Sequence, residues 1–421
     1  MADWSGHHTT TLDPNEVRDL SPVRGFVGLK GVVGVVAMIV AIILALRGTE
    51  ATARFFFAYL TAFAFVLSIS LGALFFVLIQ HVTSAGWSVT VRRVAEVLAA
   101  GIPFIALMAI PLIFGIKYLY PGTALDSFFR YDPEHPVHLS ALKINWLSAP
   151  WLITRLVIYF VVWIIMARAY HRLSVKQDVS GDPQLSMRLK KFSAPCVIIF
   201  ALTVTFASFD LFMALDPQWF STIFGVYFFA GCVVSSVGAM ILVFSALQAR
   251  GVMASSVNTE HYHDLGKLMF GFVFFWGYIA FSQFMLIWYA SLPEEVVWFH
   301  DRGATTAAGG ANQWTNFILV LLVGNFILPF LGLLSRHVKR SRGPLTFWAI
   351  WLLILHYIDL CWLIMPSFTE ALTAADVTMM ILCLIGLGGI YLALCARVAG
   401  RRSLVPTQDP RLGESLEFHN A

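Results

Sequence analysis

Ten ionisable residues carry the chemistry this 421-residue chain could do, because only 12% of it is charged. Glu96, Arg155, Asp210 and Asp359 fall inside long apolar runs, and His356 lies one helical turn before Asp359. An ionisable side chain in such surroundings needs a partner or a water-filled cavity. Acids and histidines held that way can take up and pass on protons. At the start of another run stand His261, His263, Asp264 and Lys267, matching in position Glu96 with its neighbours Arg92 and Arg93. These two clusters suit a proton entrance. Asp216 lies just beyond Asp210, and Tyr278, Ser282 and Gln283 suit either a wet path or hydrogen bonds between helices. For every cluster the competing account is an interfacial charge group, or an ion pair that only fixes packing. Buried pairs are weak evidence for stability.

The elements that position these residues follow from composition. Apolar residues make up 58% of the chain, and mean hydropathy is +0.76. That excludes a soluble domain and a disordered chain, and five scattered cysteines exclude a disulfide scaffold. A membrane-crossing helix needs about 20 apolar residues. Ten runs qualify: 28–46, 55–79, 94–119, 148–169, 193–215, 222–248, 266–290, 316–334, 345–365 and 375–397. Their hydropathy is continuous and not alternating, which favours helices over a barrel. The expectation is an all-α integral membrane protein with ten transmembrane helices.

An even number of spans puts both termini on one side. Of the 28 Lys and Arg, 21 fall on that side, six fall opposite, and Arg155 is inside a span. Both termini are therefore expected in the cytoplasm. The net charge of +4 is what remains of this bias and gives no reason to expect nucleic acid as a partner. The first 27 residues are polar and lack the short apolar core of a cleavable signal. Two longer loops, 120–147 and 291–315, are rich in aromatic and acidic residues. They suit either a cap or a docking face for a partner.

One pattern, K-[KR]-x3-P-x14-D-L-x5-P, occurs twice. Lys190, Lys191, Pro195, Asp210, Leu211 and Pro217 recur as Lys339, Arg340, Pro344, Asp359, Leu360 and Pro366, each 149 positions on. Gln80 and Gln248, and Asn145-Trp146 and Gln313-Trp314, pair at an offset of 168. The reading is two four-helix bundles as a parallel internal repeat with one flanking helix at each end. The divisions are an N-terminal segment 1–27, helix 28–54, bundles 55–215 and 216–365, helix 366–397 and a tail 398–421. The first Pro of each copy is expected in an opening turn and the second at a helix stop. Asp210 falls about 22 Å along its span, towards the periplasmic end, and Arg155 about 10 Å in from that periplasmic surface, so the two lie at a similar depth, which predicts an ion pair. The residue 168 beyond Arg155 is Val323, so Asp359 is expected to be protonated or paired with His356 or water. Gly/Pro-broken helices are not evident in the pattern.

Of the twelve histidines only His356 reads as well inside a span, which argues against a bis-histidine haem. The cysteines have no cluster or zinc spacing, so neither a metal nor a redox centre is expected on this chain.

The stretches SFDLFMALDPQWFSTIFGVY (208–227) and HYHDLGKLMFGFVFFWGYIAFSQFMLIWYASLPEE (261–295) resemble alternative complex III, a bacterial quinol:electron-acceptor oxidoreductase. The likeness is to its smaller membrane subunit of the polysulfide-reductase-like (NrfD-like) type and covers nearly the whole chain. It implies the bacterial inner membrane, a sister NrfD-like membrane subunit, periplasmic multihaem cytochrome c and iron–sulfur subunits, and a terminal cytochrome oxidase as one acceptor complex. It also implies no cofactor on this chain, haem c and Fe–S clusters in the partners, and quinol as the small molecule nearby. The proton path it suggests takes in His261, His263, Asp264 and Lys267 at one end and Asp210, Asp216, His356 and Asp359 at the other. Three alternatives remain open: a quinol-binding subunit with its own site at Arg155 and Asp210, a secondary transporter, and a passive scaffold. The topology has a direct check. Green fluorescent protein fused after Ala421 should fluoresce, and alkaline phosphatase fused there should be inactive.

Overall fold

The computed structural model describes residues 12–120, 141–304 and 313–419. Most of the loop 120–147, and residues 305–312 of the other long loop, lie outside them. The helices in chain order are α1 (Arg24–Ala45), α2 (Thr49–Val82), α3 (Val89–Ala99), α4 (Ile102–Met108), α5 (Ile110–Leu119), α6 (Ala141–Leu147), α7 (Ala149–Ser180), α8 (Pro183–Leu211), α9 (Phe224–Gln248), α10 (Thr259–Ala290), α11 (Pro293–Asp301), α12 (Gln313–Val320), α13 (Leu328–Leu334), α14 (Arg336–Arg340), α15 (Arg342–Ile364), α16 (Ala374–Ala399) and α17 (Leu412–Leu416). A π-helical segment, Leu321–Ile327, joins α12 to α13. Among the described residues there is no strand, only an isolated bridge between Val17 and Val252.

This is an all-helical multi-pass membrane architecture. Among the described residues nine helices are long and apolar enough to cross a membrane, and the count reaches ten if Gly86–Met108 and Ile110–Leu119 form one span. That pair is bent by 57°. Pro111 sits in the first turn of α5 and has no N–H to give to the preceding turn, which breaks the ladder there. The broken helix is a feature that the sequence pattern did not reveal.

Several helices outrun the apolar runs because polar capping residues start them early. Asp182 accepts a hydrogen bond from the Gln184 N–H (2.9 Å), and Pro183 occupies the first turn of α8. Pro195 is therefore in the interior of α8 and not in an opening turn, whereas Pro344 is the third residue of α15. Pro217 and Pro366 do follow the ends of α8 and α15. Residues 293–301 of the second long loop form a helix, with Trp298 and Phe299 buried.

Helix α2 lies in the middle of the molecule and is buried over most of its length. It packs on α3, α5, α8, α9, α15 and α16. Helix α9 packs on α2, α8, α10 and α15. The outer helices expose Val36, Ile165, Ile198, Leu202, Leu286 and Leu331, which suits contact with lipid. Close approach of α2 to α9 depends on Gly72, where a Cβ would overlap the Cys232 carbonyl. Likewise α1 lies against α16 through Gly31, Gly34, Gly386 and Gly389.

The described parts of both terminal segments, from residue 12 and up to residue 419, pack against the helices. Glu16 accepts from the N–H groups of Ser255 (2.8 Å) and Ser256 (2.9 Å), and the Leu404 N–H donates to the Arg18 carbonyl (2.6 Å). Leu404 and Val405 are buried. Gly72→Val should lower thermal stability in detergent by about 1–3 kcal/mol or more, the usual cost of overpacking. Gly28→Val, at a site with open space around it, should leave the melt unchanged.

Candidate functional site

Arg155 lies two turns into α7, and Asp210 lies one residue before the end of α8. The structure joins them in a forked pair, Nε to Oδ2 and Nη2 to Oδ1, both 2.8 Å. The Tyr159 hydroxyl, one turn further along α7, donates to Oδ2 at 2.8 Å. The Trp146 ring lies 4.1 Å from the guanidinium carbon, which adds a cation–π contact. Asp210 is fully buried and Arg155 nearly so. The carboxylate is thus neutralised and hydrogen-bonded, as a charge in an apolar interior must be.

The second acid is held differently. Asp359 on α15 accepts a hydrogen bond from the Tyr227 hydroxyl of α9. No cationic side chain reaches it among the described residues. Of the alternatives expected for Asp359, the pairing with His356 is not the one seen. The His356 Nε2 meets the Ser68 Oγ of α2 at 2.9 Å, and Ser68 is 3.3 Å from Ser235 of α9. The reason is geometric: the imidazole packs against Gly231, where a Cβ would collide with the ring, so it faces the α2–α9 seam. Val323, which stands where the repeat would place an Arg, is 43% exposed on the outer face.

At the end that holds the termini, Glu96 lies between Arg92 (3.4 Å) and Arg93 (3.1 Å). Arg92 also meets Asp409 of the tail at 2.6 Å, and Arg93 meets Asp178 of α7 at 2.8 Å. All of Arg92, Arg93 and Glu96 are buried, beside the buried His81 and His171. His261 belongs to a capping box: Asn258 Oδ1 accepts from the N–H groups of Glu260 (3.0 Å) and His261 (3.2 Å). The Asn258 N–H in turn donates to His261 Nδ1 (3.1 Å). His261 Nε2 lies 2.8 Å from Thr90 of α3 and 3.2 Å from Ser415 of α17. His263 lies 3.9 Å from Glu260, which pairs with Arg340 (3.0 Å), while Asp264 pairs with Lys267. Lys339 caps α13 by donating to the carbonyls of Leu333 (2.9 Å) and Leu334 (3.2 Å). Burial, and then the Lys267 charge, hold its ammonium below the usual lysine range.

The sequence candidates thus fall into three places and not one chain. Asp216 sits in the turn after α8, accepting from the Gln218 N–H (3.3 Å). Tyr278 faces outward (58% exposed), while Gln283 is buried, so the two do not share a path. Between Ser236 and Gln248 the buried residues of α9 are Val237, Gly238, Met240, Ile241, Phe244 and Leu247, about 18 Å of helix without a buried polar side chain. Tyr159, Tyr227, Ser68, Asp178 and Asp409 are the partners that sequence reasoning missed. Tyr227 had a signal, since Tyr59 precedes it by 168 positions. Asp409 had none, because it sits in an ordinary polar tail.

Fold and buried sites together define an all-helical, multi-pass membrane protein with polar clusters inside its apolar body. Comparison with protein-family models and with curated proteins gave no match. Among the described residues, no three of His, Cys, Asp or Glu converge as a metal site. The forked pair has a clear test by double-mutant cycle in detergent melts. Arg155→Leu should cost about 3–5 kcal/mol, and Arg155→Leu with Asp210→Leu should recover most of it. Tyr159→Phe should cost about 1 kcal/mol.

Proposed function

We propose that the chain is the smaller NrfD-like membrane subunit of alternative complex III, the position called ActF. In this reading it binds no redox cofactor, supports quinol oxidation by the complex and forms part of a proton translocation path. Its partners are the sister NrfD-like subunit, the periplasmic multihaem cytochrome c and iron–sulfur subunits, and a terminal cytochrome oxidase. It sits in the bacterial inner membrane with both termini cytoplasmic, as the bias of 21 to six in Lys and Arg supports.

Two lines support the repeat. Phe56, Tyr59, Ser68, Phe76, Gln80 and Glu96 are followed 168 positions later by Phe224, Tyr227, Ser236, Phe244, Gln248 and Asp264. The helices of 55–215 pack on one another, those of 216–365 do the same, and α2 meets its counterpart α9 at the seam.

The observation that carries the proton reading is the contrast between the two repeated acids. Asp210 is locked to Arg155, so gaining a proton means breaking an ion pair. Asp359 has a hydroxyl partner and no cation within reach among the described residues, so it can gain or lose a proton without breaking one. Deep in an apolar body, that is the arrangement of a proton carrier. Its neighbours His356, Ser68 and Ser235 extend the polar seam toward α2. A quinone site at Arg155 and Asp210 has less support, because these groups already satisfy one another. The bent third span lends the transporter reading a feature that its sequence pattern lacked.

Affinity purification from membranes should bring down haem-staining and iron–sulfur proteins; a functional lone protein would refute the assembly. In proteoliposomes, Asp359→Asn should lower the protons released per electron while leaving the complex assembled. An unchanged ratio in an intact complex would leave the scaffold reading standing.

A further inference from the structure

A cavity of ≈ 360 Å³ lies in the second half, between α9, α10, α11, the π segment and the end of α15. That is within the range of small-molecule sites, about 300–1,000 Å³. Its walls are aromatic, with Phe224, Trp276, Phe284, Trp298, Phe326 and Trp362 among them. The roof is rigid. Trp298 of α11 stacks on Trp219 at 4.2 Å, lies 3.8 Å under the Arg302 guanidinium and meets Trp362 edge-on at 5.6 Å.

The lip of the cavity points to lipid. Phe281 of α10 and Leu322 of the π segment line it, and they are 61% and 48% exposed. Both belong to the apolar outer surface. The π segment widens the helical turn and shifts its side chains aside. Gly277 lets the Phe326 ring of the π segment pack directly on α10, because a Cβ there would strike it.

Besides Tyr227, whose hydroxyl is committed to Asp359, Gln283 and Trp276 interrupt the apolar wall. Gln283 is 5% exposed, and its amide has no hydrogen-bond partner among the described residues. Trp276 is equally buried, and its indole N–H stands beside Asp359 and Tyr227 without reaching hydrogen-bonding geometry. A buried amide left unmatched costs free energy comparable to a lost hydrogen bond. A wall that is aromatic elsewhere therefore offers one uncommitted donor and acceptor at a fixed place.

We infer that this cavity binds one lipid-soluble molecule. Its hydrocarbon chain enters between Phe281 and Leu322, and its carbonyl head accepts a hydrogen bond from the Gln283 amide. An ester-linked acyl lipid and an isoprenoid quinone share that chemistry. The site lies away from Arg155 and Asp210 and needs no partner subunit, so it stands or falls separately from the assembly proposed above.

The test uses the full-length protein in mild detergent and two photoreactive probes. One is a phosphatidylethanolamine with a diazirine in its acyl chain; the other is an azido-quinone with a prenyl side chain. Adducts are mapped by mass spectrometry. Labelling should fall within 276–284 or 318–326 and be competed by the unreactive form of the same probe. Ala280→Trp, which fills the cavity, should cut it by about tenfold or more. Gln283→Leu, a smaller change, should cut it by about three- to tenfold, the worth of one hydrogen bond. Ile165→Trp, on the outer face of α7, should leave it unchanged. Labelling by the phospholipid alone identifies an acyl lipid, and by the azido-quinone alone a quinone. Adducts scattered over the lipid face, or labelling that Gln283→Leu leaves intact, would overturn the inference even if Ala280→Trp fails to fold.

Discussion

Hydrocarbon cannot solvate a polar group, and the architecture of this protein answers that at each level. The backbone satisfies itself in helices. Charged side chains that enter the apolar body do so facing inward and in company: Arg155 with Asp210 and Tyr159, Glu96 with Arg92 and Arg93. The cost of leaving one such charge alone, about 3–5 kcal/mol, is comparable to the whole stability of many domains. Packing is therefore set as much by where the polar partners meet as by apolar burial. The α7–α8 contact, for example, is fixed where the guanidinium fork meets the carboxylate.

The two acids of the repeated sequence pattern are held by different partners. In the first half the carboxylate is closed off by an Arg, a Tyr and a Trp, and it acts as a rivet between α7 and α8. In the second half a Val faces outward where the Arg would be, and the carboxylate is left to a Tyr hydroxyl. Loss of the cation frees the acid from a structural duty. It also leaves beside it the aromatic cavity, whose walls include Tyr227 and Trp276. The acid without a cation and the aromatic cavity are thereby neighbours in the same half.

The end that holds the termini is a polar clamp. Asp409, Thr407 and Ser415 of the tail reach Arg92, Asp178 and His261, while Glu16 holds the α9–α10 turn. The clusters that suit proton entry are thus covered by the protein's own termini and are tied to α3, α7 and α10 at once. From there to the Ser68–His356 seam the α9 face is apolar, so the two polar regions are separate compartments in this conformation. Any proton traffic between them requires water or a shift of α2 against α9, whose close contact at Gly72 leaves little slack.

The sequence by itself determined the class of the molecule. Continuous apolar runs and scarce charge leave only a helical membrane protein, because no other backbone arrangement of that composition is stable. It also determined the partnership of Arg155 and Asp210, since two opposite charges at one depth in an apolar body have nowhere else to go. Tertiary structure alone decided the partners of Asp359 and His356. Short side chains one turn apart on one helix can face different neighbours, and a single glycine, Gly231, turned the imidazole toward Ser68. It alone decided where α8 begins, since the Asp182 cap outweighed the Pro195 signal. It alone brought Asp409 and Ser415 more than 300 residues back along the chain to α3. Nothing local distinguishes such tail residues from ordinary solvated ones, because their role is defined only by the distant surfaces they meet.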